Sequence, residues 1–289
     1  RGRMGLWNTL LDRSVVFSFD RTGYRRHAQG FCSGDTPSLE GRTFLVTGCN
    51  SGIGFAAVEQ LARRSATVVL ACRSPERGEG AIAELRARVP GASLSLLQVD
   101  MADLTSVSKL AGSIDFPLHG LVHNAGNMPD SLETTDEGIE YITSLHVVGP
   151  YSLSLRLRDQ LEAGAREGGA RIIFVSSGGM YTHGLNAEEL FHPTGRYDGM
   201  RHYAHTKRAQ VVLAQELHKQ FKRCGIGVHS MHPGWVDTPA IRRAMPRFTR
   251  VTRSILRAPK EGADTISWLS GHPGPGVDEE SGFWFDRER

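Results

Sequence analysis

The sequence predicts a single α/β domain built on a doubly wound parallel sheet with helices on both faces. From residue 41 onward, short apolar runs that suit buried strands alternate with amphipathic segments of helical length. The first of these strands leads through a glycine-rich turn into a helix. The chain has 289 residues, of which 39% are hydrophobic and 22% charged, as in an ordinary globular domain.

The predicted strands are almost wholly apolar, which is typical of parallel strands buried on both faces. They occupy residues 43–47, 67–71, 93–99, 120–123, 171–175 and 226–231. Helices are expected at residues 52–64, 76–89, 104–111, 136–161 and 203–221. Residues 38–289 are therefore assigned to the domain. Residues 1–37 are assigned to an amino-terminal extension, in which apolar residues near helical spacing precede a polar stretch.

Composition and charge exclude several classes of protein. The 34 Lys and Arg against 31 Asp and Glu give a net charge of +3, which offers no case for nucleic-acid binding. No apolar run approaches the ~18–20 residues that a membrane-spanning helix needs. The four cysteines include no CxxC pair, which excludes a zinc ribbon or a disulfide scaffold and predicts no metal site. This cysteine usage suits a reducing compartment, so a cytoplasmic protein is expected, with membrane association left open.

The turn after the first strand suits a phosphate group. Glycine has no Cβ, so the backbone can approach an anion closely, and the following helix offers unpaired N–H groups and a positive dipole end. This arrangement is typical of Rossmann-type dinucleotide-binding domains. The residues expected at this site are Gly48, Asn50, Ser51, Gly52, Ile53 and Gly54. The alternative is a glycine-rich turn with a purely structural use.

The second strand is followed by Arg73, with no acidic residue between Ser65 and Arg73. A carboxylate at this strand end would bind the ribose 2′-hydroxyl of NAD, whereas an arginine suits a 2′-phosphate. The sequence therefore favours NADP(H) over NAD(H). The alternative is that Arg73 is a solvated surface residue.

Tyr203 and Lys207 lie four residues apart on a predicted helix, so the phenol and the ammonium share one face. With six tyrosines and five lysines in the chain, about 0.1 such pairs are expected by chance. An ammonium about 4 Å from a phenol supplies ~4 kcal/mol at an effective dielectric near 20, enough to lower the phenol's pKa by about three units. The pair is therefore predicted to be a general acid/base, the alternative being an exposed helix face.

Residues 48–54, Tyr203 and Lys207 together resemble the short-chain dehydrogenase/reductase family, and the resemblance extends from residue 41 to the end of the chain. It implies that Ser177 orients the substrate and that Asp100 contacts the adenine of the cofactor. The 26-residue step from Ser177 to Tyr203 is similar to that of the retinol-dehydrogenase-like branch. The resemblance implies further cofactor contacts from the turn Asn124, Ala125 and Gly126, and from Pro233, Gly234, Val236 and Thr238.

One position departs from the family pattern. Members usually carry an asparagine three residues before a glycine on the long central helix, where it holds a water in a proton relay. Gly149 sets the register here, and the position is His146. An imidazole could keep the relay, displace the water, or simply be a packed histidine. His146 is placed among the catalytic residues.

The expected substrate lid, near residues 238–260, contains six arginines and no acidic residue between Thr238 and Lys260. Its apolar residues suit a lipophilic substrate, and its cations suit an acidic head group, an anionic membrane or plain solvent. The extension could lie on a membrane, cover the domain or pair with another subunit. The family expectation is a dimer or tetramer.

The resemblance implies an NADP(H)-dependent oxidoreductase that interconverts a small-molecule carbonyl and an alcohol. A different class of function stays open, namely a dinucleotide-binding regulator or scaffold with negligible turnover. The departure at His146 and the extension motivate that alternative.

Overall fold

The structure is a computed structural model that describes residues 15–32, 34, 36–272 and 280–289. Within these residues, seven parallel strands form one sheet in the order β3-β2-β1-β4-β5-β6-β7. The strands are β1 (Thr43–Thr47), β2 (Thr67–Cys72), β3 (Leu94–Gln98), β4 (Gly120–His123), β5 (Ala170–Val175), β6 (Ile226–Met231) and β7 (Phe283–Trp284). The strand order reverses between β1 and β4, and such a switch point opens a crevice at the carboxyl ends of the strands.

Thirteen α-helices are present in the described residues, and several of them pack on the two faces of this sheet. They are α1 (Val15–Phe19), α2 (Arg21–His27), α3 (Gly52–Arg63), α4 (Pro75–Arg88), α5 (Leu104–Gly112), α6 (Tyr141–Thr143), α7 (Gly149–Arg156), α8 (Arg158–Arg166), α9 (Ala187–Phe191), α10 (Gly199–Phe221), α11 (Pro239–Ala244), α12 (Pro246–Thr252) and α13 (Pro259–Leu269). Core residues of α3, α4 and α13 cover one face, and those of α5, α7, α8 and α10 cover the other. The predicted doubly wound fold is confirmed.

Each strand contributes to both cores because successive side chains point to opposite faces. In β1, Phe44 and Val46 belong to one core cluster and Leu45 to the other, and all three are fully buried. In β5, Ile173 and Phe174 divide in the same way. This double burial explains why the strands read as continuous apolar runs in the sequence.

The helix expected at residues 136–161 begins later and is divided. Gly138 has φ +77°, a left-handed conformation that a right-handed helix excludes, and Glu140 caps the segment that follows by accepting from the Thr143 N–H. The segment Ser144–Val148 is π-helical, and the chain then continues into α7 and α8 with a break at Leu157. A π-helical turn inside an α-helical segment frequently marks a functional site.

Several other elements differ from the sequence prediction. Helix α10 begins at Gly199 rather than at residue 203, because the Asp198 side chain accepts from the N–H groups of Met200 and Arg201. The sequence analysis placed no element at β7, α9, α11, α12 or α13. Among the described residues, no helix has the length and apolar character needed to cross a membrane.

The described part of the extension covers the domain. The Phe19 carbonyl accepts from the Trp235 N–H at 2.8 Å, and the Arg21 N–H donates to the Ile255 carbonyl at 2.8 Å. The apolar residues noted in the sequence between Leu6 and Leu11 lie outside the described residues. Of the three placements considered for the extension, residues 17–31 therefore take the one in which it covers the domain.

Candidate active site

Hydrogen bonds join the glycine-rich turn to the turn after β4. The Thr47 hydroxyl accepts from the backbone N–H groups of Asn124 and Ala125, both at 3.1 Å. The Asn124 amide donates to the carbonyls of Thr47 and Gly48 at 3.0 and 2.9 Å. The two turns lie so close that a Cβ on Gly48 would be 2.6 Å from the Ala125 Cα, and one on Gly54 would be 2.4 Å from the Asn124 amide nitrogen. Only glycine fits at these two positions.

The amino terminus of α3 lies beside these hydrogen-bonded turns, and its geometry fits a phosphate. Ser51 precedes the helix, but its side chain makes no capping hydrogen bond, so it leaves the first-turn N–H groups for another acceptor. Ile53, in the first turn, packs against the core. Thr238 closes over the turn, since a Cβ on Gly52 would be 3.3 Å from its methyl carbon. The residues expected to hold a pyrophosphate therefore form one cradle.

Two arginines lie at one side of this crevice, near the carboxyl ends of β2 and β3. Arg73 Nη1 is 3.7 Å from an Asp100 carboxylate oxygen and donates to the Tyr141 hydroxyl at 3.3 Å. The second is Arg77, which the sequence analysis missed. When the Asn50 amide is oriented with its oxygen toward the guanidinium, that oxygen accepts from Arg77 Nη2 and Nε at 2.9 and 3.1 Å. The position of Arg77 in the first turn of the helix that follows Arg73 was the signal that could have identified it.

Ser177 and Tyr203 meet at the carboxyl end of β5. Their side chains share a hydrogen bond, and the Ser177 hydroxyl also accepts from the Gly179 N–H at 3.1 Å. The neighbouring Ser176 hydroxyl donates to the Lys207 carbonyl at 2.7 Å. Ser176 therefore fastens the catalytic helix α10 to the strand that carries Ser177.

Lys207 is buried and has no carboxylate partner in the described part of the chain. Its ammonium donates to the Val175 carbonyl at 3.0 Å and to the Gln210 side-chain oxygen at 3.1 Å. It lies 5.5 Å from the centre of the Tyr203 ring. Burial lowers the pKa of Lys207 from 10.5 to about 7. A neutral amine is less costly to bury than an ammonium, which explains the direction of the shift.

The structure corrects the expectation that Lys207 depresses the pKa of Tyr203. Burial raises the pKa of the phenol, and the hydrogen bond to Ser177 only partly opposes that rise. The lysine ammonium is directed toward Val175 and Gln210 instead of the phenol. Tyr203 is therefore a protonated phenol at neutral pH.

His146 links the turn after β4 to the catalytic helix. Its Nε2 accepts from the Asn127 N–H at 3.3 Å, so the proton is on Nδ1, which donates to the Thr206 hydroxyl at 2.8 Å. That hydroxyl in turn donates to the Tyr203 carbonyl at 2.9 Å. Burial first, and then the charge of Lys207, lower the pKa of His146 well below its usual range.

Both ring nitrogens of His146 thus have hydrogen-bond partners, and Gln210 connects His146 to Lys207. The Gln210 amide donates to the His146 carbonyl at 2.9 Å while its oxygen accepts from Lys207. Gly126 leaves room for this cluster, because a Cβ there would lie 3.3 Å from His146 Nε2 and 3.7 Å from the Lys207 ammonium. The i, i+3 spacing of Lys207 and Gln210 on one helix was a signal that the sequence analysis did not use.

The segment after β6 lies on the remaining side of the crevice. Val236 is fully buried, and Gly234 has φ +76°, a conformation that favours glycine. The Pro233 carbonyl accepts from Arg257 at 3.4 Å. Arg257 is fully buried, so this one of the six lid arginines faces neither a substrate head group nor a membrane nor solvent, contrary to the alternatives considered for the lid cations.

Comparisons with known proteins agree with this arrangement. The profile of the short chain dehydrogenase family matches residues 42–247. The human dehydrogenase/reductase SDR family member 12 is 36% identical over 287 residues, covering 96% of this chain and 89% of that protein. Its counterpart from Bos taurus is 36% identical over 275 residues, covering 93% and 84%.

Two further comparisons show more distant likeness. Human retinol dehydrogenase 11 is 30% identical over 248 residues, covering 82% of this chain and 75% of that protein. The crystal structure of L-sorbose reductase from Gluconobacter frateurii, complexed with NADPH and L-sorbose, shares the fold with a TM-score of 0.68 at 23% identity. That match covers 87% of this chain and 97% of the other.

The depressed pKa of Lys207 predicts a pH-dependent stability. Below about pH 7 the lysine is charged in both folded and unfolded chains, and the folded chain bears the full desolvation penalty. Above about pH 7 the folded lysine is neutral while the unfolded one stays protonated up to its ordinary pKa of 10.5. The free energy of unfolding should therefore rise between these values, by up to about 1.4 kcal/mol per pH unit, and level off above.

Urea unfolding of cofactor-free protein at several pH values tests this, with Lys207→Met compared against wild type. The wild type should gain stability relative to Lys207→Met as the pH rises from 7 to 10. Lys219→Met changes an exposed lysine on the same helix and is the matched control, with no such pH-dependent difference. A constant gap between wild type and Lys207→Met would mean that the lysine has an ordinary pKa.

Proposed function

The chain belongs to the short-chain dehydrogenase/reductase family, and from that premise we propose that it is an NADP(H)-dependent oxidoreductase interconverting a carbonyl and an alcohol. One observation carries the proposal. Ser177, Tyr203 and Lys207 converge at the carboxyl end of β5, beside the cradle formed by the glycine-rich turn. When bound, a nicotinamide cofactor supplies or accepts the hydride in such a reaction.

The chain's own residues orient the carbonyl and move the proton. Ser177 donates a hydrogen bond to the substrate oxygen and so fixes the carbonyl against Tyr203. Tyr203, protonated at neutral pH because burial raises its pKa, donates its proton to the oxygen of the product alcohol. Gln210 and Val175 hold the Lys207 side chain in place 5.5 Å from the centre of the Tyr203 ring, where its ammonium would bind the ribose of the cofactor. The reverse direction uses the same groups with the proton moving from alcohol to phenolate.

His146 and Gln210 receive different roles in this proposal. His146 holds the turn after β4 against α10, since its two nitrogens bind Asn127 and Thr206. Gln210 joins the lysine to the π-helical segment by a direct hydrogen-bond chain. We therefore assign the link behind Lys207 to Gln210 and a positioning role to His146.

Arg73 and Arg77 support a preference for NADP(H). Both guanidinium groups lie beside the carboxyl ends of β2 and β3, where the ribose of a dinucleotide adenosine would lie. Two guanidinium groups can hold a 2′-phosphate by charge-assisted hydrogen bonds. These bonds are stronger than the hydrogen bonds that the same groups form with a neutral 2′-hydroxyl. Asp100 is then available to the adenine ring.

The lid supports a lipophilic substrate and contact with an anionic surface. Arg243, Arg247 and Arg250 are exposed and form no ion pair with an acid in the described residues, unlike Arg242, which pairs with Asp237 at 2.6 Å. Val251, next to Arg250, has 82% of its surface exposed. Cations interleaved with exposed apolar side chains suit the interface of an acidic membrane.

A homo-oligomer is also part of the proposal. Tyr151 and Leu155 on α7 and Val212 on α10 are between 37% and 39% exposed. These apolar side chains lie on the two helices through which family members are expected to associate. Burial of the pair of helices against a second copy would cover them.

Alanine substitution of Arg73 or Arg77 tests the cofactor preference. Loss of one charge-assisted bond to the 2′-phosphate should weaken NADPH binding by roughly 10-fold or more and change NADH binding by less than about twofold. Quenching of tryptophan fluorescence measures both dissociation constants. Arg156→Ala changes an exposed arginine on α7 and is the control. Equal weakening of NADH and NADPH would contradict a 2′-phosphate contact.

Tyr203→Phe tests the catalytic proposal. The variant keeps the ring and removes the proton, so turnover should fall by about 10²–10⁴-fold while NADPH affinity stays close to that of wild type. A panel of carbonyl compounds followed by NADPH absorbance gives the rate, with NADH as control. Absence of turnover in the wild type, with NADPH binding retained, would favour the dinucleotide-binding regulator instead.

Co-sedimentation with vesicles tests the membrane contact. The purified protein should sediment with phosphatidylserine vesicles at low salt, and added salt should release it because the attraction is electrostatic. Each basic residue near the surface contributes about 1 kcal/mol, so triple alanine substitution of Arg243, Arg247 and Arg250 should abolish most binding. The control removes the exposed arginines Arg156, Arg166 and Arg223. Equal binding by both triple variants would exclude the lid as the contact.

A further inference from the structure

The ring of Phe19 lies between the two loops that complete the proposed active site. Its centroid is 4.4 Å from that of His232, in an edge-on contact, and 6.3 Å from those of Tyr181 and Trp235. A Cβ on Gly178 would lie 2.6 Å from Phe19 Cε2, so the ring covers the backbone next to Ser177. An aromatic side chain from the extension thus separates the loop after β5 from the loop after β6.

The main chain of the same segment is held by Arg257. The buried guanidinium donates to the carbonyls of Ser18, Phe19 and Asp20 at 2.9, 2.9 and 3.0 Å. Its own backbone pairs with the loop after β6, since the Arg257 N–H donates to the Trp235 carbonyl at 2.7 Å. One residue therefore fixes the extension and that loop together.

A strained turn near the carboxyl end of the chain completes the arrangement. Asp286 and Arg287 have φ of +48° and +64°, in the left-handed region that residues other than glycine rarely adopt. The turn directs the Asp286 carboxylate to Arg257 through two hydrogen bonds of 2.5 and 2.8 Å, and to His27 at 2.6 Å. Burial raises the pKa of Asp286, but the bonds from His27 and Arg257 outweigh it and hold that pKa below its usual range. Such strain persists only where surrounding contacts over-determine it.

We propose that Phe19 is a positioning residue of the active site, which fixes the Ser177 loop against the loop of residues 232–235, and that Arg257 with Asp286 holds it there. The catalytic part of this inference rests on the proposed function; the positioning of the loops does not. The mechanism requires Ser177 to meet the substrate within hydrogen-bond distance, and a displacement of about 1 Å can reduce a rate by roughly 100-fold. The extension is then a component of the site, and its sequence separation from Ser177 hides that role.

Phe19→Ala and Phe31→Ala form a matched pair for the test. Phe31 also belongs to the extension, but its ring packs under the Arg287 guanidinium at 4.0 Å and beside Tyr24 at 6.1 Å. Hydrogen–deuterium exchange measures loop order without any substrate. Phe19→Ala should accelerate exchange at the N–H groups of Gly179 and Trp235, which donate to Ser177 and Phe19 respectively. Phe31→Ala should leave both near wild-type rates.

The kinetic arm separates positioning from general stability. Phe19→Ala should lower kcat for a carbonyl substrate by about 10-fold or more, with NADPH affinity within about twofold of wild type, and Phe19→Leu should recover much of the loss. Phe31→Ala should keep wild-type kcat at temperatures where all variants are folded. Unchanged exchange in both loops of Phe19→Ala, or of Phe19→Leu if the alanine variant does not fold, would overturn the proposal. Equal exchange and kcat losses in Phe31→Ala would overturn it too.

The two arms also separate this inference from the proposed function. A wild type without turnover on any carbonyl would defeat the catalytic proposal, yet the exchange comparison would still decide whether Phe19 orders the two loops. Accelerated exchange confined to Phe19→Ala would support the positioning role in either case.

Discussion

The burial of the Lys207 ammonium without a carboxylate partner in the described chain is the constraint on which the site depends. An isolated charge in a protein interior is costly unless neighbouring groups solvate it. Here Val175 and Gln210 supply two neutral acceptors, and Gln210 is held in turn by the His146 carbonyl. The β5 strand end, the π-helical segment and α10 must therefore keep their relative positions. The same three elements position Ser177 and Tyr203. The parts of the fold that solvate the Lys207 charge therefore also fix the geometry of the proposed chemistry.

A second buried charge, Arg257, joins residues 18–20 to the turn at Asp286, and it differs from the first in having a counterion. Arg257 meets Asp286 through two hydrogen bonds and satisfies its remaining donors with backbone carbonyls. A buried pair contributes less to stability than its geometry suggests, because desolvation offsets much of the attraction. Its value here is geometric, since the planar guanidinium binds the extension, the carboxyl-terminal turn and the Pro233 carbonyl at once. The loop after β6, from which cofactor contacts are expected, is thereby joined to residues 18–20 and to the turn at Asp286.

Sequence patterns predicted those features that depend on neighbours close in the chain. The six strands expected from apolar runs are present, and the helix that carries Tyr203 and Lys207 brings their side chains to one site, because an i, i+4 relation is a property of the helix itself. The late start at Tyr141 was missed because Gly138 adopts a left-handed conformation that periodicity does not reveal. Strand β7 has only two residues and is identified by its pairing with β6, which carries no local signal.

The sequence by itself determined the parallel α/β architecture, the glycine-rich turn and the pairing of a phenol with an ammonium, because each is encoded by residues a few positions apart. The tertiary structure alone decided in which direction the two pKa values shift, because burial depends on residues distant in sequence. Desolvation raises the pKa of Tyr203 and lowers the pKa of Lys207 to about 7. It also decided that Arg257 is interior, although the sequence analysis considered for the lid arginines only an acidic head group, a membrane or solvent. A residue type fixes what a side chain can bind, but only the packed fold fixes whether water or protein is there to bind it.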